Sequence, residues 1–285
     1  MARGGLTLRW LGTAGHVIST GSTTVVVDPF VTRPGLRALL SPLRPDLGAI
    51  DRWLPARVDA VLLGHSHYDH LLDAPSLARA RGALVVGTPT TAAFARAAGV
   101  DADRIVVVPP EGRTLTVGDI TVRFVPSLHN RLVAGRVPLS GEVREPPSLP
   151  VRALRYRMGG AFGIQLEAGG LTLYHNGSAD LVDAELAGHR ADVLLVGLAG
   201  RGATRDYLAR LIGLLAPTVV VPTHHDAFFA PLEEGERLLP GIDFEGFLSE
   251  AAVLAPRARV VTPLYHDAIA LPLEGDAREL VVEDW

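Results

Sequence analysis

The sequence predicts an α+β fold in which mixed β-sheets carry helices on their outer faces. Three observations carry that expectation. Short apolar runs recur along the chain. Several of them are joined in pairs by glycine-containing tight turns, which make antiparallel neighbours. Others alternate with helical stretches, which make parallel ones.

The elements follow in order. LTLRWL, HVIST and TTVVVD open the chain as three strands, with Gly21-Ser22 turning between the last two. Residues 29–57 are rich in proline and read as a loop with short helical turns. VDAVLLG at 58–64 is apolar on both faces and reads as a buried strand. A helix is expected over 74–81, with Asp73 as its N-cap and Pro75 in its first turn. ALVVGT is a strand, and a helix near 90–98 stops at Gly99. RIVVVP, TLTVG and ITVRFVP are strands, the last two joined at Gly118-Asp119. FGIQLEAGGLTLYHN is a hairpin turning at Gly169-Gly170. A short helix near 181–188, the strand ADVLLVG, a helix over 204–215 and the strand TVVVPT follow. A helix near 243–255 and the strands ARVVTPL and AIALPL close the chain.

Residues 130–158 break this rhythm with four prolines and six arginines. No linker or internal repeat divides the chain, so residues 1–285 read as one domain with an irregular insertion at about 130–158. Hydrophobic residues make up 48% and charged residues 20%, a globular balance. The net charge of −4 lacks the basic excess of a nucleic-acid binder. No run is long and apolar enough for a membrane helix, and the start lacks the apolar core of a signal peptide. The expected partner is a small molecule, with no nucleic acid and no membrane, in the cytoplasm. Every cation is arginine, which reads as coding bias. With no cysteine in the chain, any metal must be held by imidazole and carboxylate.

GHSHYDH at 64–70 supplies such groups directly after a buried strand. In extended chain, His65 and His67 point the same way and can share an ion. Asp69 and His70 follow the bend and can face a second point nearby. Four local groups cannot close two four-ligand sites, so distant residues must return. His129, His175, Asp180 and His224 each lie at or just past the end of an apolar strand, where α/β sheets gather their sites. His16, His189 and His266 read as ordinary surface or core histidines.

Taken together, HSHYDH, SLHN at 127–130, YHNGSAD at 174–180 and PTHHD at 222–226 resemble the metallo-β-lactamase superfamily. The opening LTLRWLGTAGHVISTGSTTVVVDPF is similar to its ascorbate-6-phosphate-lactonase-like branch. The resemblance implies an αββα sandwich of two face-to-face sheets with a dinuclear centre at the sheet edge. The implied ions are Zn2+, with Mn2+ or Fe as alternatives. His65, His67 and His129 would hold one, and Asp69, His70 and His224 the other. Asp28 matches an aspartate that supports the histidines, and His175 is a further candidate for that role.

One position departs from the family pattern. An aspartate that bridges both ions usually follows the glycine of NGSAD, and here Ser178 stands there. Asp180 is the nearest carboxylate and the expected replacement; its bland reading is a helix cap.

The expected activity is hydrolysis of an ester, lactone, amide or phosphodiester by a metal-bound hydroxide. Asp69 would orient the nucleophile, and His225 would donate a proton to the leaving group. Arg152, Arg155 and Arg157 would recognise an anionic substrate. The alternative is a non-catalytic or single-metal binding protein of the same fold, which Ser178 keeps open.

Overall fold

Two mixed sheets stack face to face, and each is half antiparallel and half parallel. The computed structural model describes residues 5–132, 134–265, 267–273 and 280–281; His266 lies outside them. The first sheet contains β1 (Leu6–Trp10), β2 (His16–Ser19), β3 (Thr24–Val27), β4 (Ala60–Leu62), β5 (Leu84–Gly87) and β6 (Ile105–Val107). The second contains β7 (Arg113–Val117), β8 (Ile120–Ser127), β9 (Ala161–Ala168), β10 (Leu171–Asn176), β11 (Val193–Gly197), β12 (Val219–Thr223) and β13 (Arg259–Val260). β14 (Ala268–Leu271) and β15 (Leu280–Val281) return to the first sheet, whose order is β15-β14-β1-β2-β3-β4-β5-β6. The second runs β13-β12-β11-β10-β9-β8-β7. Hairpin-connected strands pair antiparallel, while β3–β6 and β10–β13 run parallel.

Side-chain alternation explains why two sheets need outer helices. Leu6, Leu8, Ala60 and Leu62 face Leu171, Leu173, Val193 and Leu195 in the core between the sheets. The alternate positions Val61, Leu63 and Val85 point outward. They are covered by α1 (Leu47–Trp53), α2 (Tyr68–Leu71), α3 (Ala74–Arg81) and α4 (Pro89–Ala97). On the second sheet, Leu194, Val196 and Val220 lie under α5 (Asp183–Leu186), α6 (Tyr207–Leu215) and α7 (Phe244–Leu254). In α6, Leu208, Leu211, Ile212 and Leu215 form one buried stripe at helical spacing. Each such side chain contributes about 1.5–3 kcal/mol on burial. The layering is the αββα sandwich the family resemblance implies. No helix among the described residues is long and apolar enough to cross a membrane.

Two local expectations are corrected. Asp73 precedes α3 but makes no side-chain capping bond. Its carboxylate instead accepts from the Val31 and Thr32 amides, at 2.6 and 2.9 Å, and from the Thr32 hydroxyl. Three donors from one loop outcompete a single helix amide. The helix expected from 204 starts at Tyr207, because Asp206 sits at φ 50° and breaks the helical path before it.

The parallel halves deliver their C-terminal ends to one edge of the sandwich. β4 leads into the GHSHYDH segment, and β12 leads into His224. The two sheets are tied there by main-chain bonds. Phe162 N–H donates to the Gly64 carbonyl at 2.8 Å, and His224 N–H to the Thr13 carbonyl at 2.7 Å. Glycine suits position 64 because the space is tight: a Cβ there would stand 3.2 Å from both Asp28 Oδ2 and the Phe162 carbonyl.

Candidate metal centre

Six of the sequence-predicted ligands meet at this edge in two groups. His65, His67 and His129 form one, with their donor atoms within 4.8 Å of one another. Asp69, His70 and His224 form the other within the same limit. The groups abut, since the His65 and His70 rings are 3.8 Å apart between centroids.

Each group draws on both sheets. His65 and His67 leave β4 in extended chain, and the turn of α2 then carries Asp69 and His70. His129 follows β8, and His224 follows β12.

Hydrogen bonds fix which nitrogen of each ring faces inward. His67 Nε2 donates to the Pro138 carbonyl at 3.0 Å, leaving Nδ1 as the inward atom, 3.1 Å from His65 Nε2. His129 Nδ1 donates to the Asn130 carbonyl at 3.0 Å, leaving Nε2 free. His70 Nδ1 lies 2.9 Å from Asp28 Oδ2, so its Nε2 turns toward Asp69. Asp28 is itself held by the Gly64 amide at 2.8 Å. It therefore lies between the Gly64 amide and the His70 ring, where it can orient that ring.

The electrostatics favour a cation. Burial pushes His65 far below the usual imidazole range, and neighbouring histidines add to it. Burial also pulls His67 down to about 4 and lowers His129. These rings are therefore neutral at pH 7 and present lone pairs to one another. His70 differs: burial lowers it, but Asp28 and Asp69 outweigh burial and raise it. Burial pushes the Asp69 carboxyl up, yet His70 and His224 hold it well below the usual range, so it is ionised. His224 Nε2 lies 3.4 Å from Asp69 Oδ2. Lone pairs and one carboxylate converging in a buried pocket suit a divalent ion bound by nitrogen and oxygen.

Asp180 is not brought to either group. Its carboxylate accepts from the Leu181 amide at 2.8 Å and faces Arg210 at 3.9 Å. Its carbonyl accepts from the Ser127 and Asn176 side chains, which fix this turn, and the cap position of α5 falls to Val182 instead. Ser178 is buried, and its hydroxyl donates to the Leu128 carbonyl at 2.8 Å. The Asn130 amide returns a bond to the Ser178 carbonyl at 3.0 Å. The residue at the departing position thus clamps both sides of His129.

His225 also stands apart from both groups. Its ring stacks on Trp10 at 4.6 Å between centroids and lies 4.9 Å from Phe244. Burial lowers it to about 4. The ring lies against two aromatics, and it belongs to neither donor group. His175 and His16 are fully buried, and both donate to the Ala14 carbonyl, at 2.8 and 3.1 Å. Their hydrogen bonds support the Ala14 turn and reach no ligand. His189 bonds Gln165 on the outer face at 2.7 Å.

The insertion is stitched to the ligand segment. Besides the Pro138 bond to His67, the Met158 carbonyl accepts from the Ser66 amide at 2.9 Å. Met158 and Gly159 donate back to Leu139 and Gly141. Arg152 and Arg155 are exposed and Arg157 is half-buried; Arg152 bridges to Pro42 on the helix side of the first sheet.

Sequence reasoning missed a buried polar cluster behind His224. Arg33 Nη2 pairs with Asp226 Oδ2 at 2.6 Å, and the Tyr265 hydroxyl donates to the same oxygen at 2.8 Å. Asp226 Oδ1 accepts from the Thr13 amide at 2.8 Å. The Thr13 carbonyl accepts from His224 N, Thr223 Oγ1 and Trp10 Nε1. Only Asp226, directly after the two histidines, carried a visible signal.

Comparisons with known proteins show the family and the fold. A β-lactamase superfamily domain family matches residues 7–224. A UPF0173 metal-dependent hydrolase of Anaeromyxobacter sp. (strain K) is 30% identical over 264 residues, covering 90% of this chain and 86% of its own. A UPF0173 metal-dependent hydrolase of Pyrobaculum arsenaticum is 28% identical, covering 78% of this chain and 84% of its own. Among solved structures, the metallo hydrolase Igni18 of Ignicoccus hospitalis superposes with a TM-score of 0.61 at 16% identity. It covers 95% of this chain and 100% of its own.

Proposed function

The chain belongs to the β-lactamase superfamily domain family, and on that premise we propose that it is a metal-dependent hydrolase with two divalent ions, zinc by preference. The observation that carries the reading is the pair of abutting, largely buried three-residue donor groups. When bound, two such ions polarise a substrate oxygen and bring the pKa of a water near 7. The scissile bond is an ester, lactone, amide or phosphodiester of a small molecule, and the cytoplasm is the proposed location.

The chain's own residues have separable roles. His65, His67 and His129 offer neutral nitrogens, two of them fixed in tautomer by the Pro138 and Asn130 carbonyls. Asp28 fixes His70. Asp69 is the one carboxylate among the six, so it supplies the negative charge and an oxygen that orients the attacking water. The buried rings of Trp10 and His225, with the half-buried Phe244 against them, exclude solvent beside His224.

Arg152, Arg155 and Arg157 remain a proposed recognition element for an anionic group. The support is compositional: the 29-residue insertion holds six of the chain's 27 arginines, about twice an even share.

The test is a panel of lactones, thioesters, amides and phosphodiesters with purified, metal-loaded protein. Turnover of at least one class, lost on chelation and restored by metal, is the expected result. A fully loaded protein inert across the panel would contradict hydrolysis and favour a binding role.

A further inference from the structure

We propose that a cavity beside His129 receives an apolar group of the substrate, and so sets specificity by chain size. The inference rests on the proposed hydrolase reading for its biological meaning, but its geometry stands on its own. The cavity measures about 420 Å³ and is lined by Leu132, Leu198, Ile242 and the glycine-rich turn Gly200–Ala203.

Its position follows from contacts with the ligand loops. Asn130, whose carbonyl orients His129, donates through Nδ2 to the Ala199 carbonyl at 2.9 Å. A Cβ on Gly200 would stand 2.5 Å from that Nδ2, so the cavity wall touches the residue next to a metal ligand. Leu132 is three residues beyond His129, at most about 11 Å along the chain. On the far side, Ile242 and Asp243 lead into Phe244, which packs on His225. The cavity therefore lies between the segment that follows His129 and the chain that enters α7.

Its chemistry is apolar despite two charged lining residues. Arg201 is engaged by Glu250 at 2.5 Å. Asp243 accepts from the Gly246 amide at 2.9 Å as the cap of α7. Each charge is thus held by a neighbour in the fold rather than standing alone in the cavity. What remains is leucine, isoleucine, alanine and glycine, with Leu132 58% exposed three residues after His129. An exposed leucine over such a lining loses water when an apolar group enters. An apolar cavity of about 150 Å³ accepts benzene, so this one holds a branched chain or bicyclic group.

The test uses alkyl hydroxamates from acetyl to octanoyl, titrated calorimetrically into the metal-loaded protein. The hydroxamate anchors at the ions, and the tail reports the cavity without any need for turnover. Affinity should rise up to roughly fourfold per methylene until the cavity fills, the equivalent of about 0.8 kcal/mol each. Gly202 lines the cavity, and a Cβ there meets nothing within 4 Å. Gly202→Phe should therefore fold normally and flatten the series while leaving acetohydroxamate binding and metal content unchanged. Affinity that fails to rise with length, whether all members bind equally or none binds, overturns the proposal. So does a slope that Gly202→Phe and Leu132→Asp both leave intact. A rising series in a protein that hydrolyses nothing keeps the cavity and refutes the hydrolase reading instead.

Discussion

Replacing Asp226 by asparagine should destabilise the protein and loosen His224 together. The side chains of Arg33 and Asp226 are each 1% exposed, and their pair is 2.6 Å long. Burial pushes the Asp226 carboxyl up, but Arg33 and Tyr265 hold it below the usual range, so the native pair is charged. Asparagine keeps an acceptor for Thr13 but leaves the guanidinium buried without its counter-charge. Removing one partner of such a pair costs about 3–5 kcal/mol. That is a large share of the roughly 5–15 kcal/mol that holds a domain together. Arg33→Met combined with Asp226→Asn removes the stranded charge. The double variant should recover at least about 1 kcal/mol relative to the sum of the singles.

The effect reaches the metal centre through Thr13, whose carbonyl holds the His224 amide at 2.7 Å. His224 sits at φ 52°, a conformation that costs a non-glycine residue about 1–3 kcal/mol and persists only where its surroundings impose it. Urea unfolding of the apoprotein followed by circular dichroism measures the first effect, and competitive metal titration the second. A loss under about 1 kcal/mol in Asp226→Asn, or a double variant no more stable than additivity predicts, would refute the reasoning.

Three further predictions follow from single contacts. Asp73 is raised to about 6, chiefly by burial, against 3.8 for the free side chain. The folded state therefore binds this proton more tightly, and its stabilising contribution is present below pH 4 and lost as pH rises through 6. The stability of wild type minus Asp73→Asn should fall by on the order of 3 kcal/mol from pH 4 to pH 7, measured by unfolding at each pH; a flat difference would be contrary. Ser178→Ala removes the buried bond to Leu128 and should cost about 1–3 kcal/mol, with weaker metal binding at the His65, His67 and His129 group. Equal stability and equal affinity would remove Ser178 from its clamp role. Neutralising Arg152, Arg155 and Arg157 together should raise KM for an anionic substrate while sparing a neutral one; an unchanged KM excludes them from recognition.

The sandwich was legible because alternation within each strand and apolar spacing within each helix are local signals. The packing of β4 and the residue after it shows this well: Ala60 and Leu62 face one core while Val61 and Leu63 face the other. The six grouped ligands were legible because four sit in one heptapeptide and the other two end apolar strands. What escaped depends on distant partners. Asp73 stands where a cap belongs, but its preferred donors, Val31 and Thr32, are about forty residues away. His225 looks chemical beside His224, yet Trp10 and Phe244 close on it from opposite ends of the chain. Asp180 was placed by its nearness to Gly177, but the path of the turn points its carboxylate at Arg210. The insertion read as an irregular segment from its composition. Its main-chain bonds to Ser66 and His67 leave no trace in sequence, because a carbonyl carries no side-chain identity.

The most direct test of the central claim is the count of ions bound per chain, by elemental analysis after zinc loading and removal of free metal. Two donor groups predict about two per chain in the wild type. His129→Ala and His224→Ala should each retain about one, from opposite groups. A wild type that binds none, or single variants that both still bind two, would contradict a pair of independent centres built from these six residues.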